Sequence, residues 1–88
     1  MTVLVTGVAG FIGHYVAQAL LDRGERVVGI DNLNDYYSPA LKQARIEQLQ
    51  PFSRFGFETI DIADSAAMAS LFARHGFDAV VHLAAQAG

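Results

Sequence analysis

The sequence predicts an α/β fold, a parallel sheet of four strands with helices on both faces, in the order βαβαβαβ. Three observations carry this. Four short apolar runs recur along the chain, three amphipathic stretches separate them, and a glycine-rich turn, "TGVAGFIG" from Thr6 to Gly13, joins the first run to the first amphipathic stretch. Continuous apolar runs are what a parallel sheet covered on both faces requires, and the connections between its strands are expected to be right-handed crossovers. The implied strand order is 3-2-1-4. The first two helices then lie on one face and the third on the other.

Taken in order, Thr2 to Thr6 is the first strand. Gly7, Gly10 and Gly13 follow at three-residue intervals, a variant of the dinucleotide-binding fingerprint. Gly7 permits the sharp turn, Gly10 lets backbone approach a pyrophosphate, and Gly13 lets the following helix pack close to the strand. That helix carries Ile12, Val16, Ala19 and Leu20 at helical spacing with Tyr15 alongside, and stops at Gly24. Its first N–H groups lack intrahelical partners, so a diphosphate can be held there without a lysine.

"RVVGI" from Arg26 to Ile30 is the second strand and ends in Asp31, 18 residues beyond Gly13. An acid at that place accepts hydrogen bonds from the adenosine ribose hydroxyls and repels a 2′-phosphate, which favours NAD over NADP. Asn32 stands where an arginine would have suggested the phosphorylated cofactor.

A polar and aromatic loop, "NLNDYY", leads to a second helix with Ser38 as cap, Pro39 at its first position and Leu41, Ala44 and Leu49 as its apolar side, ended by Pro51. Lys42, Arg45 and Glu47 are assigned to its solvated face. Arg54 to Ile60 is the third strand and runs into Asp61 and Ile62. Asp64 caps a third helix whose stripe is Met68, Leu71 and Phe72, with Arg74 and His75 in its last turn before Gly76. Ala79 to Leu83 is the fourth strand, and "LAAQAG" is the small-residue loop that follows. The crevice between the ends of strands one and four is the topological switch point at which such sheets bind nucleotides.

Composition narrows the function. With 52% hydrophobic and 17% charged residues among 88, the chain is a globular unit rather than a disordered one. A formal net charge of −3 supplies no basic footprint for nucleic acid or an anionic membrane. There is no cysteine, hence no disulfide and no thiolate chemistry. His14, His75 and His82 have no metal-ligand spacing, and no metal site is expected. For His82 a packed place in the strand is the expectation. No apolar run approaches the roughly 20 residues of a membrane span, and a cytoplasmic protein is expected.

"TGVAGFIG", the strand-end pair Asp31 and Asn32, the pair Asp61 and Ile62, and "HLAAQAG" from His82 to Gly88 resemble the extended short-chain dehydrogenase/reductase family. Within it the resemblance is to NAD-dependent epimerases and dehydratases of nucleotide sugars, with a Rossmann-type three-layer fold. "DNLNDYYSPALKQARIEQL" resembles the second-strand loop and helix of the UDP-glucuronate 4-epimerases. The resemblance implies that Gly7, Gly10, Phe11, Ile12 and Gly13 surround the pyrophosphate, with main-chain N–H groups from Phe11 and Ile12. It also implies that Asp31 binds the adenosine ribose with Asn32 and Asn34 nearby, and that Asp61 and Ile62 bracket the adenine. Leu83, Ala84, Ala85 and Gln86 would line the path to the nicotinamide ribose.

The family's reaction, as the resemblance implies, needs a tyrosine and a lysine four residues later. The residues four after Tyr15, Tyr36 and Tyr37 are Ala19, Ala40 and Leu41, so the 88 residues carry no such pair and no catalytic residue is assigned. The expectation is therefore the N-terminal part of a NAD-binding domain, residues 1–88, truncated after strand four. Its parent is expected to be a homodimeric epimerase binding NAD and a nucleotide sugar. A sugar-nucleotide 4,6-dehydratase or related reductase, a non-catalytic NAD-binding module, and a fragment that binds nothing tightly stand as alternatives.

Overall fold

The structure is a computed structural model and describes residues 1–33 and 39–84. Its elements alternate as expected: β1 (Thr2–Thr6), α1 (Phe11–Asp22), β2 (Arg26–Asp31), α2 (Pro39–Leu49), β3 (Phe55–Thr59), α3 (Ser65–Arg74) and β4 (Ala79–His82). All pairings are parallel and the order is β3-β2-β1-β4. β1 is thus the central strand, in register with β2 from Thr2↔Arg26 to Thr6↔Ile30 and with β4 from Val3↔Ala79 to Thr6↔His82.

Side chains alternate across a strand, and here the alternation sorts two cores. Val3, Val5 and Val27 join Val8, Ala17 and Leu21 of the α1 side and Ile46 and Leu49 of α2. Leu4, Val28 and Ile30 face the other way onto Leu71 of α3, with Met68, Ile60, Ile62 and Phe77 packed around them. Two helices on one face and one on the other is the arrangement the sequence predicts. The same parity places Asp31 on the face of α1 and α2.

Two helical faces differ from expectation. In α1 the buried residues are Gly13, Ala17 and Leu21, with Val16 and Leu20 partly covered, while Ile12 and Tyr15 are 62% and 66% exposed. The reason is distance. α1 reaches the sheet through its smallest residues, and a Cβ on Gly13 would stand 2.1 Å from the Gly7 carbonyl oxygen. The large apolar side chains are turned out of so close a contact.

In α2 the inward residues are Lys42, Ile46 and Leu49, at i, i+4 and i+7, and Leu41 and Ala44 are exposed. The assignment of Lys42 to a solvated face is therefore corrected. A charge partner, Asp31, draws it inward, and periodicity of apolar residues carries no signal of that kind. In α3 Leu71 is fully buried while Phe72 remains largely exposed, edge-on to Phe77 with ring centroids 5.2 Å apart.

Candidate functional site

The carboxyl ends of β1, β2, β3 and β4 gather the glycine turn, Asp31, Asp61 and the residues after His82 at one edge of the sheet. The glycine turn is built first by the backbone. Gly7 has φ +70°, a left-handed conformation that a side chain disfavours, and the N–H groups of Gly7 and Val8 both donate to the carbonyl of Ile30, at 2.9 and 3.2 Å. A Cβ on Gly7 would also meet the Ala84 nitrogen at 2.9 Å, so the turn lies directly against the chain leaving β4.

Gly10 is the N-cap of α1, in extended conformation, and brings no side-chain cap. The first-turn N–H groups of an α-helix have no partner within the helix, and among the described residues no side chain takes that place. The first turn of α1 also contains no acidic residue. Phe11 and Ile12 are exposed, so these donors and the positive end of the helix dipole open on solvent at the switch point.

Asp31 stands behind the turn and is almost completely buried. Its Oδ2 accepts from the Ala9 N–H at 3.1 Å, and its Oδ1 accepts from the Leu33 N–H at 2.8 Å and from Lys42 Nζ at 3.3 Å. A carboxylate has about four lone-pair sites. Among the described residues three donors occupy them, which leaves acceptor capacity on Oδ2 for a hydroxyl. The carboxylate thus holds the glycine turn, the exit of β2 and α2 together while keeping one acceptor site. Leu33, at φ 55°, takes the left-handed conformation that this Asp31-bonded turn imposes.

α2 contributes a second cation. Arg45 Nη1 donates to the Ala9 carbonyl at 3.1 Å, and its guanidinium carbon lies 5.9 Å from the centroid of the Phe11 ring. Both polar groups of Ala9 are therefore engaged, the N–H by Asp31 and the carbonyl by Arg45. Neither Lys42 nor Arg45 was expected near the site.

Thr6 is the other residue that sequence reasoning passed over. Its hydroxyl oxygen accepts from the N–H groups of Leu83 at 2.9 Å and Ala84 at 3.1 Å and lies 2.8 Å from His82 Nδ1. With both lone pairs engaged, the hydroxyl proton is directed to Nδ1, which assigns the ring proton of a neutral His82 to Nε2. The signal was available in part: a hydroxyl residue ends β1 and a histidine is its register partner in β4.

Asp61 Oδ1 accepts from the Ala63 N–H at 2.9 Å, which forms a tight turn at the exit of β3, and its side chain is exposed at the same edge. Ile62 packs against the Leu4 and Ile30 core, and Leu83 is partly exposed beside the glycine turn. Asn32 is exposed next to Asp31. Asn34, Ala85 and Gln86 lie outside the described residues. Among the described residues no cluster of three or more metal-ligating side chains exists, and no helix is long and apolar enough to cross a membrane.

A glycine turn opening onto an uncapped helix, with a strand-end acid behind it at the carboxyl edge of a doubly wound sheet, defines a Rossmann-type domain. A family model described as GDP-mannose 4,6 dehydratase matches residues 4–88, and the chain belongs to that family, within the extended short-chain dehydrogenase/reductases. It is 52% identical over 87 residues to UDP-glucuronate 4-epimerase 3 of Arabidopsis thaliana, covering 99% of this chain and 20% of that protein. It is 48% identical over 85 residues to UDP-glucuronate 4-epimerase of Thermodesulfobacterium geofontis, covering 97% of this chain and 26% of that one. The fold matches the crystal structure of UDP-glucuronic acid 4-epimerase from Bacillus cereus in complex with UDP-glucuronic acid and NAD. That match has a TM-score of 0.85 at 42% identity and covers 100% of this chain and 27% of the other. The chain thus spans about a fifth to a quarter of the length of these relatives.

Proposed function

We propose that this chain is the NAD-binding N-terminal part, residues 1–88, of a nucleotide-sugar epimerase, and that the nucleotide sugar is UDP-glucuronate. The observation that carries the reading is the uncapped start of α1 facing the crevice beside Asp31. Those residues fit a dinucleotide: N–H donors and a helix dipole for the pyrophosphate, and a buried carboxylate with spare acceptor capacity for a ribose hydroxyl. The likeness to the Bacillus cereus epimerase, whose complex contains UDP-glucuronic acid and NAD, supports both ligands.

In this reading Gly7, Gly10, Phe11, Ile12 and Gly13 hold the pyrophosphate through backbone. Asp31 holds the adenosine ribose, with Asn32 and Asn34 close to it, and Asp61 and Ile62 flank the adenine. Leu83, Ala84, Ala85 and Gln86 line the way to the nicotinamide ribose. NAD, when bound, supplies a hydride acceptor that returns the hydride to the same sugar carbon. The tyrosine and lysine that move the hydroxyl proton in this family are not among the 88 residues, so these residues bind and orient the cofactor without performing the reaction. The whole protein is proposed as a cytoplasmic homodimer. A 4,6-dehydratase is the second reading, favoured by the description of the matching family model.

Titration of the 88-residue chain with NAD tests the binding role, with saturable binding as the expected outcome. Absence of saturable binding would reject it. Assay of a protein containing this chain together with a downstream Tyr-x-x-x-Lys pair distinguishes the reactions. Interconversion of UDP-glucuronate with its 4-epimer is expected, and loss of water from a nucleotide sugar would favour the dehydratase.

A further inference from the structure

We infer that Arg45 of α2 is a positioning residue for the dinucleotide's diphosphate, holding the open start of α1 by a contact on each side of Gly10. The inference rests on the NAD-binding reading above. Gly10 is the N-cap of α1, and no side chain of its own fixes the peptide that enters the helix. Arg45 reaches both of its neighbours. Nη1 donates to the Ala9 carbonyl at 3.1 Å, and the guanidinium carbon lies 5.9 Å from the centroid of the Phe11 ring. That ring is 64% exposed, yet it is held between Arg45 and the edge of Tyr15, with the two ring centroids 5.4 Å apart.

The peptide between Ala9 and Gly10 is thus pinned at both ends. Its N–H donates to the Gly7 carbonyl at 3.0 Å, and its carbonyl is taken by Arg45. Without the guanidinium that carbonyl can rotate, and glycine on its far side offers little steric resistance. An oxygen turned into the crevice sets negative partial charge against a phosphate held only by backbone donors and the helix dipole. Arg45 also brings charge. Among the described residues no carboxylate pairs with it, so its charge adds to the helix dipole in favour of an anion. Adenosine has no phosphate, and its places in the reading above, Asp31, Asp61 and Ile62, receive no hydrogen bond from Arg45. The effect of Arg45 therefore falls on the diphosphate.

The experiment is titration of the 88-residue chain with NAD, ADP and adenosine, for the wild type, Arg45→Met, Arg45→Lys and Phe11→Ala. Arg45→Met keeps the apolar stem and is expected to lower NAD and ADP affinity by about tenfold, with adenosine affinity within about twofold of the wild type. Arg45→Lys keeps a charged donor and restores most of that loss. A loss confined to phosphate-bearing ligands and rescued by lysine separates positioning of this site from general support of the fold. Phe11→Ala removes the second contact while leaving the Phe11 N–H, and is expected to lower ADP affinity by about threefold. It carries the test if Arg45→Met does not fold by circular dichroism. Unchanged ADP affinity in either folded variant, an equal loss for adenosine, or no rescue by lysine overturns the inference while leaving the NAD reading intact. Failure of the wild type to bind NAD overturns both.

Discussion

α1 and α3 both begin at the carboxyl edge of the sheet, and both starts depend on an aspartate, but the two are held in different ways. Asp64 is the N-cap of α3 itself, and its Oδ1 accepts from the Ala67 N–H at 3.1 Å, so the positive end of that helix is closed by its own chain. α1 has Gly10 at the same position and no cap. Its aspartate is Asp31, from another strand, and it grips the turn one residue before the cap through Ala9. The turn is fixed from behind while the front of the helix stays open. A helix start that serves only the fold is sealed locally, and one that serves a ligand is braced remotely.

This contrast is open to attack in four ways. Asp31→Ala is expected to have the largest effect. It removes a buried carboxylate that accepts from the Ala9 and Leu33 N–H groups and from Lys42 Nζ, and each buried donor left unsatisfied costs about 1–3 kcal/mol. In a domain of this size each kcal/mol is worth about 4–8 °C in Tm, so thermal unfolding would show a domain close to unfolded at 37 °C.

Gly10→Asp gives α1 the kind of cap that α3 has. Gly10 already has φ −74° and ψ 167°, which any residue adopts, but a Cβ there would stand 3.2 Å from the Gly7 carbonyl oxygen, so the gain of about 1 kcal/mol from the cap is offset by that tight contact and stability is expected to change little. NAD affinity should fall by about tenfold or more, because a carboxylate then occupies the donors meant for phosphate. Unchanged affinity in a titration would remove the functional side of the contrast.

Asp64→Ala is the reverse experiment. It should cost about 1 kcal/mol in urea unfolding while NAD binding stays as in the wild type. The smallest effect belongs to the far end of α3, where Arg74 donates two hydrogen bonds to Glu58 at 2.8 and 3.0 Å. Those bonds, with the charges of Arg74 and His75, outweigh burial and hold the Glu58 carboxyl below its ordinary value. A lowered carboxyl contributes stability that is present above the unfolded-state value and is lost as pH falls through the folded-state one. Glu58→Gln should therefore flatten the acid limb of the Tm against pH curve below the ordinary glutamate range, and leave its neutral limb little changed because the pair is largely exposed.

The strand order was legible because four apolar runs and three helical stretches allow few parallel arrangements, and the glycine spacing with Asp31 located the open edge. Less was readable where a contact depends on a partner distant in sequence. Lys42 is drawn in by a charge 11 residues away, and no apolar period reports that. Thr6 looks like one more strand residue until β4 is laid beside it and its hydroxyl meets three groups of residues 82–84. The face of α1 was misplaced by the usual rule that the largest apolar residues lie inward. Gly13 and Ala17 bring the helix too near the sheet for that rule.

The position of β1 has a further consequence in time. It is the first strand to be synthesised and the last to be completed, since its second edge is covered only when β4 arrives and Thr6 meets His82 across 76 residues of sequence. At about 5–20 residues per second, the ribosome leaves that edge of Val3, Leu4 and Val5 unpaired for roughly 4–15 s. During that interval the most deeply buried strand of the finished domain is an open template for strands of other chains, and closure of the sheet by β4 ends the exposure.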